Sequence, residues 1–270
     1  MKLRANKRTR LNPVRANIGV ETAYYDAMAR KLDKMHASVL YWVSAQYKKN
    51  PPLALRVLAQ DGSPASDMRK TMSKLGTRWQ RSFAAGADDM AAHFANESMT
   101  TGDKTFQAIL KKAGFSVAFK NTRAQNDAYR AVVGENVGLI KSLAKDFMHQ
   151  VEQEVLRSVQ RGRDLATLRD KILERAAVSK NRANFIARDQ NNKATSLIVA
   201  VRQRGLGIKK AEWMHSGGGI HPRESHEEAD GTEYEVDQGC LIDGEYIFPG
   251  EEPNCRCVAG SIIPVWDDDD

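Results

Sequence analysis

No stretch of this sequence approaches the roughly 20 consecutive apolar residues that cross a bilayer, and the basic N-terminus "MKLRANKRTRLNPVRANIG" has no apolar segment behind it. The pattern excludes a membrane span and a secretory signal. It predicts a protein made and assembled in the cytoplasm. Cysteine is scarce: the three, Cys240, Cys255 and Cys257, all lie in the last 31 residues. An odd number in a chain without an export signal argues against a disulfide framework and leaves buried thiols or metal ligands. Aromatic residues make up only 7% of the chain, which favours helices over a sheet-rich fold. Short-period repeats, coiled-coil heptads and low-complexity tracts are missing, apart from the closing Asp267 to Asp270. So is a phosphate-binding loop, because "SGGGIHP" lacks the lysine and helix start that such a loop needs.

What is present is amphipathic helix. The 270 residues are 41% hydrophobic and suffice for one large or two modest domains. Apolar residues from Tyr24 to Val43 recur at three- and four-residue steps and predict a helix over 18–49, stopped by Asn50-Pro51-Pro52. A short helix before the "DGSPAS" loop and a second helix over 66–96, broken near Gly86, are expected next. A polar link over 100–103 leads to another short helix and then to "FSVAF". There Phe115, Val117 and Phe119 alternate as in a strand. Residues 121–134 read as a polar connection. A helix over 135–161 follows, with Gly162 as its C-cap and Asp164 capping the short helix "LATLRDKILERAA". Ser179 should cap a further helix that exits at Gly205 and Gly207.

After Gly207 the pattern changes. "IKKAEWMHS", "TEYEVD", "EYIF" and "CVAGSIIPV" read as strands separated by the turn signals "ADG", "DQG", "IDG" and "FPGEEPN". The fold class is therefore α+β: a predominantly helical N-terminal and middle region followed by a small glycine-rich α+β C-terminal domain. The expected boundaries are a basic flexible arm over 1–17, a helical N-terminal region over 18–134 and a helical middle region over 135–207. The small domain spans 208–266 and an acidic tail 267–270. Net charge is +7, with Lys2, Arg4, Lys7, Arg8, Arg10 and Arg15 crowded at the start. Such an arm permits weak, sequence-independent contact with DNA and does not demand it.

The C-terminal residues carry whatever chemistry the chain has. His226, Cys240, Cys255 and Cys257 form a Cys3His set, the donor chemistry of structural zinc. A unit of about 60 residues barely supports a core alone and would gain from a metal. Against this, Cys255 and Cys257 are separated by one residue, closer than the usual zinc knuckle. The three thiols can also be read as small buried hydrophobes, with His226 a hydrogen-bonded core histidine. A third reading makes His221, His226 and Asp230 a metal-dependent nuclease centre, or Cys255 a nucleophile paired with His226. In the reading adopted here the cluster is a scaffold. Asp230-Gly231 makes a tight turn, Pro253-Asn254 positions the cysteines, and Arg223 and Arg256 tie carbonyls or carboxylates together. Strand alternation turns Arg256 away from its two cysteine neighbours.

Trp213, "RESH" (Arg223 to His226), Asp230-Gly231 and "NCRC" (Asn254 to Cys257) together resemble the C-terminal signature of the phage Mu F-like head morphogenesis family. The preceding helix "NRANFIARDQNNKA" (Asn181 to Ala194) is similar to the helix that leads into that family's domain, and the likeness extends over about Val137 to Val258. The resemblance implies a non-enzymatic minor capsid protein of a tailed bacteriophage, placed in the virion head interior near the portal. It implies portal protein or major capsid protein as partner, with contact to packaged DNA as a further role. The donor set itself, rather than the resemblance, allows a structural zinc, and no other cofactor is expected. The alternative is a metal-dependent nuclease or toxin-like enzyme built on the C-terminal cluster.

Overall fold

The computed structural model describes residues 9–49, 64–161, 165–218 and 222–263. Four long helices dominate: α1 (Ile18–Lys49), α2 (Pro64–Lys112), α3 (Arg123–Gln160) and α4 (Leu165–Gly205). The chain divides into two compact units. One comprises Thr22–Ala92 and Gly134–Ala187. The other comprises Met1–Glu21, His93–Val133 and Arg188–Asp270.

Among the described residues, the first of these units is built of helices. Met28, Leu32, Met35, Val39 and Val43 of α1 are fully buried, at the spacing the sequence predicted. Phe83 and Ala87 of α2 and Ile140, Leu143, Ala144 and Phe147 of α3 are buried to the same degree. Each large side chain so buried contributes roughly 1.5–3 kcal/mol. The α1 and α3 segments run parallel. The Tyr24 hydroxyl donates to Asn136 Oδ1 (2.8 Å), and 23 residues later Tyr47 bonds Ser158 (3.1 Å). On α4, Ser179 Oγ lies 2.8 Å from His36 Nε2, and Lys180 pairs with Asp33 at 2.7 Å.

Several helix boundaries differ from the sequence reading, each for a local reason. The α2 helix is continuous through Gly86, where the Lys31 side chain from α1 occupies the space a Cβ would fill. It is also continuous through the polar 100–103 stretch, because Asp103 is fastened to Arg202 (2.7 Å to Nε) and Gly102 admits Ile198. The α3 helix starts twelve residues before the expected Glu135. Thr122 Oγ1 accepts from the Gln125 N–H while Gln125 Oε1 accepts from the Thr122 N–H, a reciprocal capping box in the supposed connection. Ser179 caps nothing. Its hydroxyl bonds back to Ala176 O (2.9 Å) within a single unbroken α4.

The second unit holds the sheet. Strands β1 (Thr9–Arg10), β2 (Lys210–Met214), β3 (Glu233–Glu235) and β6 (Val258–Ile263) pair antiparallel in the order β1-β6-β2-β3. A separate hairpin joins β4 (Cys240–Ile242) to β5 (Glu245–Ile247). Its turn residues Asp243 and Gly244 both have positive φ (52° and 85°), as a two-residue hairpin loop of this twist requires. Thr9 to Asn17, read from sequence as part of a flexible arm, is built in. Thr9 and Arg10 pair with Ile263 and Ile262, Leu11 and Val14 enter the core, and Asn17 caps α1 through Gly19 N–H (2.8 Å). The hydrophobic spacing of Leu11 and Val14 outweighs the surrounding charge. "FSVAF" alternates as expected but pairs with no strand. Phe115, Val117 and Phe119 pack as half-buried residues on the Phe106, Leu110 and Val199 cluster, with the Arg202 guanidinium 4.3 Å above Phe119. The expected features at residues 50–63, Gly162, Asp164 and 267–270 lie outside the described residues.

Candidate metal centre

Three elements converge on one point in the sheet-bearing unit. Strand β2 alternates half-buried and buried residues, which sends Ala211 and Trp213 inward. The Trp213 indole N–H donates to His226 O (3.2 Å), and its ring meets the His226 imidazole edge-on at 5.1 Å. His226 is the one buried residue of the short helix α5 (Glu224–Glu228), whose start is marked by Arg223. The third element is the "PNCRC" loop leading into β6. Burial along it alternates, with Cys255 and Cys257 buried and Arg256 half-buried between them, as the two-residue period predicts.

His226 Nδ1 lies 3.5 Å from Cys255 Sγ and 3.8 Å from Cys257 Sγ, and the three donor atoms all fall within 4.8 Å of one another. On the other side of the ring, His226 Nε2 is 3.0 Å from Glu252 Oε2. The same carboxylate oxygen meets Arg223 Nε at 3.3 Å, and Arg223 also donates to Pro253 O (3.0 Å). Gly250 N–H points at Cys255 Sγ from 3.3 Å. Hydrogen bonding between the two thiols lowers Cys255 and, together with burial, raises Cys257. A cavity of about 210 Å³ opens onto this cluster, lined also by His215, Ser216, Arg223 and Arg256.

Of the four metal-ligating residues expected from sequence, the structure brings His226, Cys255 and Cys257 together. Cys240 stands apart on β4. It is buried in the same apolar cluster as Tyr234 and Ile247, and burial pushes its thiol up. Asp230 accepts the His215 N–H (2.7 Å) and Gly231, with φ 82°, donates to Trp213 O (2.8 Å), so this pair forms the expected turn. His221 lies outside the described residues.

Sequence reasoning missed the residues that hold the cysteine loop in place. They lie on α4 at four-residue steps. Arg188 donates to Asn254 Oδ1 (2.8 Å), and Asp189, itself buried, accepts the Asn254 N–H (2.7 Å) and pairs with Lys193 (3.2 Å). Asn192 donates to Cys255 O (3.3 Å), and Ser196 donates to Pro249 O. This row lets Asn254 keep a left-handed φ of 61°. The available signal was the polar stripe itself: Arg188, Asn192 and Ser196, with Asp189 and Lys193 alongside, on a helix otherwise rich in apolar residues.

Comparison with known proteins returns to the same segment. Residues 149–260 match the family model described as "Phage Mu protein F like protein". An uncharacterized protein of Haemophilus influenzae is 28% identical over 208 residues, which cover 74% of this chain and 44% of the relative. The chain thus spans less than half the length of that relative. No solved structure matches.

Proposed function

We propose that this chain, which over residues 149–260 belongs to the phage Mu F-like family, serves as a minor capsid protein that joins portal or major capsid protein during head assembly. The family match carries the reading. The helical surface supports it: Leu173, Val178 and Phe185 on α4 are 52%, 49% and 38% exposed, an apolar set available to a partner. Within the full chain, Val178→Asp with Phe185→Asp should leave the fold intact and abolish co-purification with phage heads. Retained incorporation at wild-type copy number would sink the docking assignment.

The Cys2His cluster is assigned as a structural zinc site that staples the small sheet. Tetrahedral zinc with sulfur ligands at about 2.3 Å and nitrogen at about 2.0–2.1 Å sets the S···N edge near 3.6 Å. The observed 3.5 and 3.8 Å match it. Glu252 supplies the outer-shell carboxylate that orients a ligating histidine. The purified protein should carry one zinc per chain, and Cys255→Ser or Cys257→Ser should remove it with loss of structure. Full stability after chelation would return the cysteines to the role of buried hydrophobes.

One observation favours a second reading. Three protein ligands leave a fourth position, and the cavity beside them holds Arg223 and Arg256, groups suited to an anionic substrate. A hydrolase of this kind would cleave a phosphodiester in a zinc-dependent manner and lose that activity, but not its fold, in Arg256→Ala.

A further inference from the structure

The unit without the sheet carries a groove between the end of α1 and the beginning of α2, lined by Trp42, Gln46, Lys49, Thr71, Lys74 and Arg78 among others, with a volume of about 530 Å³. Its charge is one-sided. Residues 40–49 and 64–81 contain Lys48, Lys49, Arg69, Lys70, Lys74, Arg78 and Arg81 against the single carboxylate Asp67, in a chain whose entire net charge is +7. All seven cations are exposed. Among the described residues no ion pair engages Lys49, Lys74 or Arg78. Folding thus gathers a surplus that composition spreads over the whole sequence.

One aromatic ring lines the groove. Trp42 is 47% exposed, and its neighbour Tyr41, 65% exposed and outside the groove's lining, meets it edge-on at 5.3 Å. Large aromatics at helix positions are normally turned inward, as Tyr47 is on the same helix. Here two consecutive rings face solvent beside a row of cations. A basic groove that follows a phosphate backbone, with ring faces on which bases stack, is the chemistry that holds single-stranded nucleic acid without sequence preference. A duplex buries its base faces and would leave the exposed Trp42 ring without use.

We infer that the α1–α2 groove binds single-stranded nucleic acid, with Lys49, Lys74 and Arg78 on phosphates and Trp42 stacked on a base. This inference stands apart from the head-assembly reading: either can fail while the other holds.

The test uses the full-length protein and two probes, a 20-nucleotide oligothymidylate and a 20-base-pair duplex, with fluorescence anisotropy over a salt series. The single strand should bind more tightly, with a log–log salt slope of about −2 for three phosphate contacts. Trp42→Ala should weaken binding about 5- to 150-fold, the range for loss of one stacked base. Lys74→Glu with Arg78→Glu should abolish it. All three positions are on the surface, and circular dichroism verifies that the variants fold. Preference for the duplex, or no binding at low salt, overturns the inference. So does unchanged binding by the variants, which would move the contact elsewhere, for example to the basic residues 2–8. Binding seen only after residues 52–60 are replaced by a Gly-Ser linker would make the chain's own connecting segment the occupant, and overturns it as well.

Discussion

Asp189→Ala should unfasten the cysteine loop from α4. The carboxylate is buried, accepts the Asn254 N–H at 2.7 Å and pairs with Lys193 at 3.2 Å. A hydrogen bond to a charged group contributes about 1.5–3 kcal/mol. The Lys193 pair adds less than about 1 kcal/mol, since that lysine is partly in water. The expected loss is about 2–3 kcal/mol. At roughly 2–4 °C per kcal/mol for a chain of this size, Tm should fall by about 5–10 °C. Asp189→Asn keeps an oxygen at the same place and should cost about 1 kcal/mol. Urea denaturation followed by circular dichroism gives both numbers, and zinc retention against a competing chelator reads the loop directly. If Asp189→Ala lies within about 0.5 kcal/mol of the wild type, or Asp189→Asn costs as much as Asp189→Ala, the clamp does not hold the loop.

Two further expectations concern single side chains. His36 is depressed to about 4 chiefly by burial, with Asp33 opposing and Lys180 reinforcing the shift. The folded protein binds the imidazole neutral, so this contribution is complete above about pH 6.5 and is lost as pH falls towards 4. Partial exposure reduces it to on the order of 1–2 kcal/mol. His36→Gln should therefore lie below the wild type by a constant amount above pH 6.5 and close that gap as pH falls towards 4; a gap unchanged to pH 4 would refute the burial argument. Gly250→Ala combines a φ of 82° with a Cβ only 3.3 Å from Ser196 Cβ, whereas Gly244→Ala has a φ of 85° and open space. Both should lose about 1–2 kcal/mol from backbone strain, and Gly250→Ala distinctly more. Equal losses in thermal melts would mean that the loop does not sit tightly on α4.

The sequence made some of this legible and concealed the rest for physical reasons. The α1 stripe from Met28 to Val43 was readable because burial on one helix face imposes a period. The strands after Gly207 were readable from their glycine turns. Gly86 and the polar 100–103 stretch misled, because glycine and charge there answer to Lys31 and Arg202 on other helices, a tertiary cause that local propensity cannot contain. At the site, "RESH" and "NCRC" marked His226, Cys255 and Cys257, since few residue types bind soft metals. Glu252 and Asp189 escaped notice because carboxylates are common, and nothing in their spacing says which of them a fold has chosen.

The pairing of Thr9 and Arg10 with Ile263 and Ile262 joins opposite ends of the chain. β6 also pairs with β2, so it is one of the two inner strands and the one that joins β1 to the rest of the sheet. During synthesis the first strand emerges early and has no partner until almost the last described residue has left the ribosome. The long helices, rich in local contacts, can form while it waits. A nascent chain halted before Val258 would present β2 with an open edge and leave Leu11 and Val14 with part of their cover missing, the features through which unfinished sheets associate with one another. Closure of this sheet therefore waits for Val258–Ile263, the last of its strands in chain order.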